Sequence, residues 1–252
     1  MNAFAIVACG FAVGTLVGAT GVGGGSILAP ILVLVFRMNP LLAVGTDLLY
    51  SAPTKIVGAL VHAWQGTLFR KPLVHLCAGG LVGVGCSTAV LLTLGKEWSP
   101  AQLSRITQES IGGALIASSL LLLFEHRLRA AERPVREPSA PVLWITGGAV
   151  AAIVAFTAVG AGALAMPLLC VLYRNRRLGN LVGTDIAFAA VISSAAAAVR
   201  LGTASVNVPF SLLLLCGSIP GVILGSRFAA VGERWLRPVL VTALFGVGVR
   251  MI

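Results

Sequence analysis

Charge is scarce in this chain. Only 10% of its 252 residues are Asp, Glu, Lys or Arg, 58% are hydrophobic, and the mean hydropathy is +0.99. Soluble globular domains carry roughly 25% charged residues, so that class is excluded. Paired cysteines are missing as well. Cys9, Cys77, Cys86, Cys170 and Cys216 lie singly in apolar surroundings, with no C-x-x-C spacing, and read as small hydrophobes. No metal and no cofactor is expected. No G-x-S-x-G, H-E-x-x-H or Walker sequence occurs, which removes the commonest catalytic signatures. Gly24-Gly25-Ser26 looks superficially like the nucleophile of an intramembrane serine protease, but no plausible His partner on a neighbouring span would activate Ser26. The chain is expected not to be an enzyme. With no ATP-hydrolysing domain, any transport is gradient-driven or passive. Residues 1–36 also lack Lys and Arg, so a secretory signal with a basic start is not expected and the first segment should persist in the mature protein.

What is present is a series of apolar runs near 20 residues long, the mark of membrane-spanning helices. They cover 2–20 and 24–36, 40–62, 72–94, 101–124, then 141–157 and 160–173, 180–199, 208–231 and 235–252. Asn39-Pro40 and Ser99-Pro100 open two of them as cap and first helical residue. The formal charge of +10 would suggest nucleic acid in a soluble domain. Here the basic residues cluster between apolar runs, so membrane topology accounts for them. The expected partner is the lipid bilayer, with no nucleic acid; a homo-oligomer is compatible with this reading.

Two of the runs are broken by glycine. Thr20-Gly21-Val22-Gly23-Gly24-Gly25-Ser26 leads to Pro30, and Thr157-Ala158-Val159-Gly160-Ala161-Gly162-Ala163 leads to Pro167. Freed backbone groups survive at membrane depth only where protein or a water-filled cavity satisfies them, so such breaks point to function. The two stretches belong to a repeat. Gly45-Thr46-Asp47 returns as Gly183-Thr184-Asp185, Gly79 and Gly83 return as Gly217 and Gly221, and Gly66-Thr67 returns as Gly202-Thr203. Residues 1–124 form the first transmembrane repeat, 125–141 a basic cytoplasmic linker, and 142–252 the second repeat.

The distribution of positive charge then decides the topology. If each broken segment crossed once, basic residues would fall almost evenly on the two sides. If each enters and returns on its own side, one side collects Arg70, Lys71, Arg127, Arg129, Arg133, Arg136, Arg174, Arg176, Arg177, Arg227, Arg234 and Arg237. The other keeps only Arg37, Lys96, Arg105, Arg200 and Arg250. The positive-inside rule selects the second arrangement. The expected fold is therefore an all-α polytopic membrane protein of two inverted repeats, each a glycine-broken re-entrant hairpin plus three transmembrane helices, with both termini outside the cytoplasm.

The short helices from Ser26 and Ala163 would aim unpaired N–H groups at a common point, which suits an anion. Gly21, Gly23, Gly24, Gly25, Gly160 and Gly162 would let it approach the backbone, and Thr20, Thr46, Thr157 and Thr184 would add hydroxyls. Asp47, roughly 10 Å into its helix, and Asp185 are ionisable residues at membrane depth and so candidate coupling groups. Lys55, the only basic residue well inside a predicted span, would be a counter-charge or part of a proton relay. Its counterpart in the other half is Ser193. His62 and His75 fall at helix ends and read as interfacial.

Residues 14–67 and 151–203, with the glycine break ending at Pro30, the Gly45-Thr46-Asp47 motif and their echoes, resemble the TauE/SafE family of membrane permeases. The resemblance implies movement of sulfite, sulfoacetate or a related organosulfonate, usually outward and driven by an ion gradient. The expectation is an exporter of a small sulfur-containing anion in the bacterial inner membrane. A passive anion channel is the alternative.

Overall fold

The computed structural model describes residues 3–20, 25–130, 138–160, 162–173, 178–203, 205–227 and 229–252. Within them lie ten helices and no strand: α1 (Ala3–Thr20), α2 (Gly25–Leu34), α3 (Pro40–Trp64), α4 (Arg70–Glu97), α5 (Pro100–Ala130), α6 (Ala140–Thr157), α7 (Ala165–Leu172), α8 (Leu178–Gly202), α9 (Val208–Arg227) and α10 (Ala229–Met251). Gly21, Gly23, Gly24 and Ala161 lie outside the described residues. Among those described, five helices are long and apolar enough to cross a membrane, starting at Arg70, Pro100, Ala140, Gly179 and Val208. The protein is a multi-pass membrane protein. Helices α2 and α7, with 10 and 8 residues, span only ~15 and ~12 Å and cannot cross a core of ~30 Å alone.

Local chemistry sets the helix starts. Asn39 accepts the amide of Leu41 at 3.0 Å ahead of Pro40, as expected of a cap. Ser99 and Gln102 form a reciprocal box: the Gln102 side chain takes the Ser99 amide at 2.9 Å, and the Ser99 hydroxyl takes the Gln102 amide at 3.3 Å. Helix α5 continues to Ala130, into the stretch expected to be linker.

Packing follows a two-fold pattern. The most intimate pairs are α1 with α9, α4 with α6, α3 with α8, and α5 with α10. Exchanging α1–α5 for α6–α10 turns the first pair into the second and leaves the other two unchanged. Glycine makes these crossings close. Gly10 and Gly14 of α1 lie against the backbone of Leu214 and Ser218, while Gly217 and Gly221 of α9 lie against Val7 and Phe11. Two G-x-x-x-G faces are thus interlocked, the close-approach solution for helices in lipid. On the other side Gly79 meets Trp144, Gly83 meets Gly148, and Gly147 meets Leu76.

Direction is equally clear. Thr46 near the start of α3 contacts Asn207 beyond the end of α8, and Thr184 near the start of α8 contacts Phe69 beyond the end of α3. These two helices are antiparallel. So are α5 and α10, where Gly112 opposes Gly248 and the Gln108 side chain donates to the Met251 carbonyl at 3.2 Å.

Helix α8 is the most buried of the five long apolar helices. Beside it, buried Tyr50 of α3 donates to Ser218 of α9 at 2.6 Å. Tyr50→Phe should lower stability by about 0.5–2 kcal/mol, because the Ser218 hydroxyl loses its partner in a buried setting. A thermal unfolding series in detergent checks this, and an unchanged midpoint would show that the bond contributes nothing.

Candidate functional site

The helices α3 and α8 cross where Lys55 meets Ser193, its own counterpart in the repeat. The Lys55 ammonium donates to the Ser193 hydroxyl at 3.0 Å, with Ser193 wholly buried and Lys55 partly so. The ammonium also interacts electrostatically with Asp47 on its own helix and with Asp185 on α8. No direct ion pair closes either link. Among the described residues the only pair within 4.0 Å is Arg105–Glu109, on the surface.

Both carboxylates are sealed from solvent, Asp47 at 0% and Asp185 at 3% exposure. Asp47 Oδ1 accepts the Ser51 hydroxyl at 3.1 Å, one turn along the same face. The amide of Ala29, in α2 just beyond the first break, also interacts with this carboxyl group. Asp47 Oδ2 and Asp185 Oδ1 have no hydrogen-bond partner among the described residues. Buried polar atoms are almost always paired, so one open oxygen on each carboxylate marks a place for a proton or a ligand. Asp47, Asp185 and Lys55 are therefore brought into one electrostatic cluster.

The threonines have another duty. Thr46 donates to Leu42 O at 2.7 Å and accepts the Asn207 amide at 3.1 Å. Thr184 does the same with Asn180 O at 2.7 Å and the Phe69 amide at 3.0 Å. Each hydroxyl proton goes to its own helix, and each oxygen ties down the loop entering α9 or α4. Both residues hold the α3–α8 frame.

At the second break, Thr157 donates to Ile153 O at 2.7 Å and accepts the Val159 amide at 3.1 Å. Ala158, Gly160 and Gly162 have φ of 59°, 121° and 101°. A right-handed helix cannot continue through such residues, and the value at Gly160 suits only glycine. Leu164 and Ala165 turn their amides back to the Gly160 carbonyl at 2.8 and 3.2 Å. Consequently α7 begins at Ala165, later than the Ala163 expected from sequence, and buried Ala163 belongs to the preceding turn.

At the first break Thr20 closes α1 and Gly25 opens α2, while Gly21, Gly23 and Gly24 lie outside the described residues. Buried Ser26 borders a cavity of ≈ 310 Å³ between α1, α2 and α10, lined otherwise by apolar side chains and Pro30. Thr157 borders a different cavity of ≈ 550 Å³ between α4, α5 and α6, with Cys86, Ser87 and Ser110 among its walls. The two cavities share no lining residue.

One residue escaped the sequence reading. Arg200, expected in an outer loop, sits in the last turn of α8 and is only 3% exposed. Its Nη2 donates to the Ala155 carbonyl of α6 at 3.1 Å. Its position directly abutting the apolar run of α8 was the available signal. The interfacial histidines are engaged: His62 Nδ1 lies 2.8 Å from Thr67 Oγ1, and His75 Nδ1 accepts the Trp144 indole N–H at 3.1 Å.

Known proteins sharing this sequence pattern can now be set beside the geometry. Residues 6–251 match the family model described as "Sulfite exporter TauE/SafE". Over 254 residues the chain is 32% identical to the "Probable membrane transporter protein YjnA" of Bacillus subtilis (strain 168), covering 98% of each chain. No solved structure matches.

Proposed function

The chain belongs to the TauE/SafE family of membrane transporters, and from that premise we propose that it exports a small sulfur-containing anion, sulfite or an organosulfonate, by ion-coupled alternating access. The observation that carries the reading is the crossing of α3 and α8. An ammonium there meets a serine at 3.0 Å and interacts electrostatically with two buried carboxylates, one on each of the crossing helices. A cation at membrane depth attracts an anion. Carboxylates with an open oxygen can take up and release protons as it passes.

Inverted repeats support alternating access. The antiparallel pairs α3–α8 and α5–α10 fit a hairpin at α6–α7, since a single crossing there would make both pairs parallel. The short α2 and α7 fit return arms. Removing buried Arg200 from the outer loops also widens the charge bias. On this reading the linker is cytoplasmic, both termini lie outside the cytoplasm, and the membrane is the bacterial inner membrane.

Proteoliposomes test it. Under an imposed proton gradient the protein should accumulate labelled sulfite or sulfoacetate against its concentration gradient. Asp47→Asn and Asp185→Asn should each lose uphill accumulation, by about tenfold or more, while keeping downhill exchange. Purely downhill flux indifferent to both substitutions would replace the coupled transporter with a passive anion channel.

A further inference from the structure

We propose that Arg200 is an anion-binding residue at the second break, its Nη1 group offered to a substrate oxyanion while Nη2 fixes it in place; this rests on the anion-transporter reading. A guanidinium is a rigid fork whose amino groups can be divided between two partners, and it keeps its charge in any surroundings. Here one prong is anchored on Ala155 O in the last turn of α6, immediately ahead of the break at Thr157. The other prong, Nη1, is buried without any hydrogen-bond partner among the described residues. An arginine serving only to tie α8 to α6 would leave that donor unsatisfied, at a cost that buried donors rarely incur.

Beside the guanidinium, part of the backbone is already engaged. The amides of Ala158, Val159, Leu164 and Ala165 are taken by Val154 O, Thr157 Oγ1 and, for the last two, Gly160 O. Those four donors hold the turn, and Arg200 adds a charged donor next to it.

The comparison between halves points the same way. Gly45-Thr46 and Gly183-Thr184 recur with the same contacts, each glycine against the opposite loop and each threonine accepting a loop amide, so these shared residues build the frame. Arg200 is not shared. Its counterpart is His62, which is only half-buried and is bonded to Thr67. Like Lys55 opposite Ser193, Arg200 is a cation that the frame does not need, placed where symmetry gives the other half something else. Together they put one cation at the crossing of the halves and one at the second break. An anion bearing several oxygens, such as sulfite or a sulfonate, could engage them in succession.

The experiment titrates sulfite against purified protein in detergent and against flux in proteoliposomes. Sulfite should raise the unfolding temperature of the wild type. Arg200→Gln keeps a planar donor for Ala155 O, so without sulfite it should unfold close to the wild type. It should need about tenfold more sulfite or greater, for both the thermal shift and half-maximal flux. Arg200→Lys, which keeps the charge but loses the fork, should fall between. Wild-type sulfite dependence in either folded variant overturns the proposal. If Arg200→Gln is not recovered folded, Arg200→Lys decides alone, and a wild-type half-saturation value overturns it. If the wild type itself neither responds to nor carries sulfite or sulfoacetate, the anion reading fails and the proposal falls with it. That failure is visible before any variant is compared.

Discussion

Lys55→Ser should reduce the initial rate of anion accumulation in proteoliposomes by about 100-fold or more, the range expected when one member of a buried charge cluster is removed. The substitution makes position 55 match position 193, so the crossing of α3 and α8 becomes serine against serine. The fold should tolerate this. Lys55 is only partly buried and closes no direct ion pair, and the neighbouring frame bonds at Thr46 and Thr184 are untouched. What disappears is the positive charge that interacts with both Asp47 and Asp185. Without it the two carboxylates lose the cation they interact with, and an anion arriving at the crossing meets only negative or neutral groups. Lys55→Arg retains charge and should retain part of the rate. A folded Lys55→Ser protein accumulating substrate at the wild-type rate would reduce Lys55 to a packing residue whose ammonium reaches along α8 toward the nearest hydroxyl.

The second large effect is on folding. Gly217→Leu should destabilise the protein by about 4 kcal/mol or more, and extraction in mild detergent should recover little monodisperse material. Any Cβ at Gly217 would fall on the backbone of Val7 and Phe11. Backbone cannot rotate away as a flexible side chain does, so α1 would have to leave the α9 groove. Gly79→Leu, which breaks the corresponding crossing at Trp144, should behave alike. Gly246→Leu on α10 is the control: nothing lies within 4 Å of a Cβ there, and its recovery should equal that of the wild type. Normal recovery of Gly217→Leu would mean that the two helices do not approach this closely.

Much of this architecture was legible in the sequence, because lipid simplifies the code. Apolar length gives helices directly, and the segment bounds read from hydropathy differ from the helices by only a few residues in most cases. Pairing of Gly79 and Gly83 with Gly217 and Gly221 was visible as a repeat. That the repeat is two equivalent crossings needed the partners Trp144, Gly148, Val7 and Phe11, which carry no motif. The site was legible only in part. Asp47, Asp185 and Lys55 stood out because charge is rare at membrane depth. Thr46 and Thr184 were legible as hydroxyls beside the breaks, but the loop amides their oxygens accept, Asn207 and Phe69, are distant in sequence and carry no motif. Arg200 was placed in an outer loop although it directly abuts the apolar run of α8; that α6 covers it could be seen only in the packing.

The seam where α3 meets α8 has a further consequence. Position 55 faces position 193, and Gly112 faces Gly248, in the manner of an isologous contact between two copies of one chain. In a dimer of identical halves such a contact is bound by its own symmetry: lysine would face lysine, with two ammonium groups a few ångströms apart, or serine would face serine with no charge. Halves free to differ in sequence, as two halves of one polypeptide are, can seat a single lysine against a serine. The covalent union of the halves therefore does more than keep them together. It permits an odd charge on the axis, a choice closed to any homodimer of the same design.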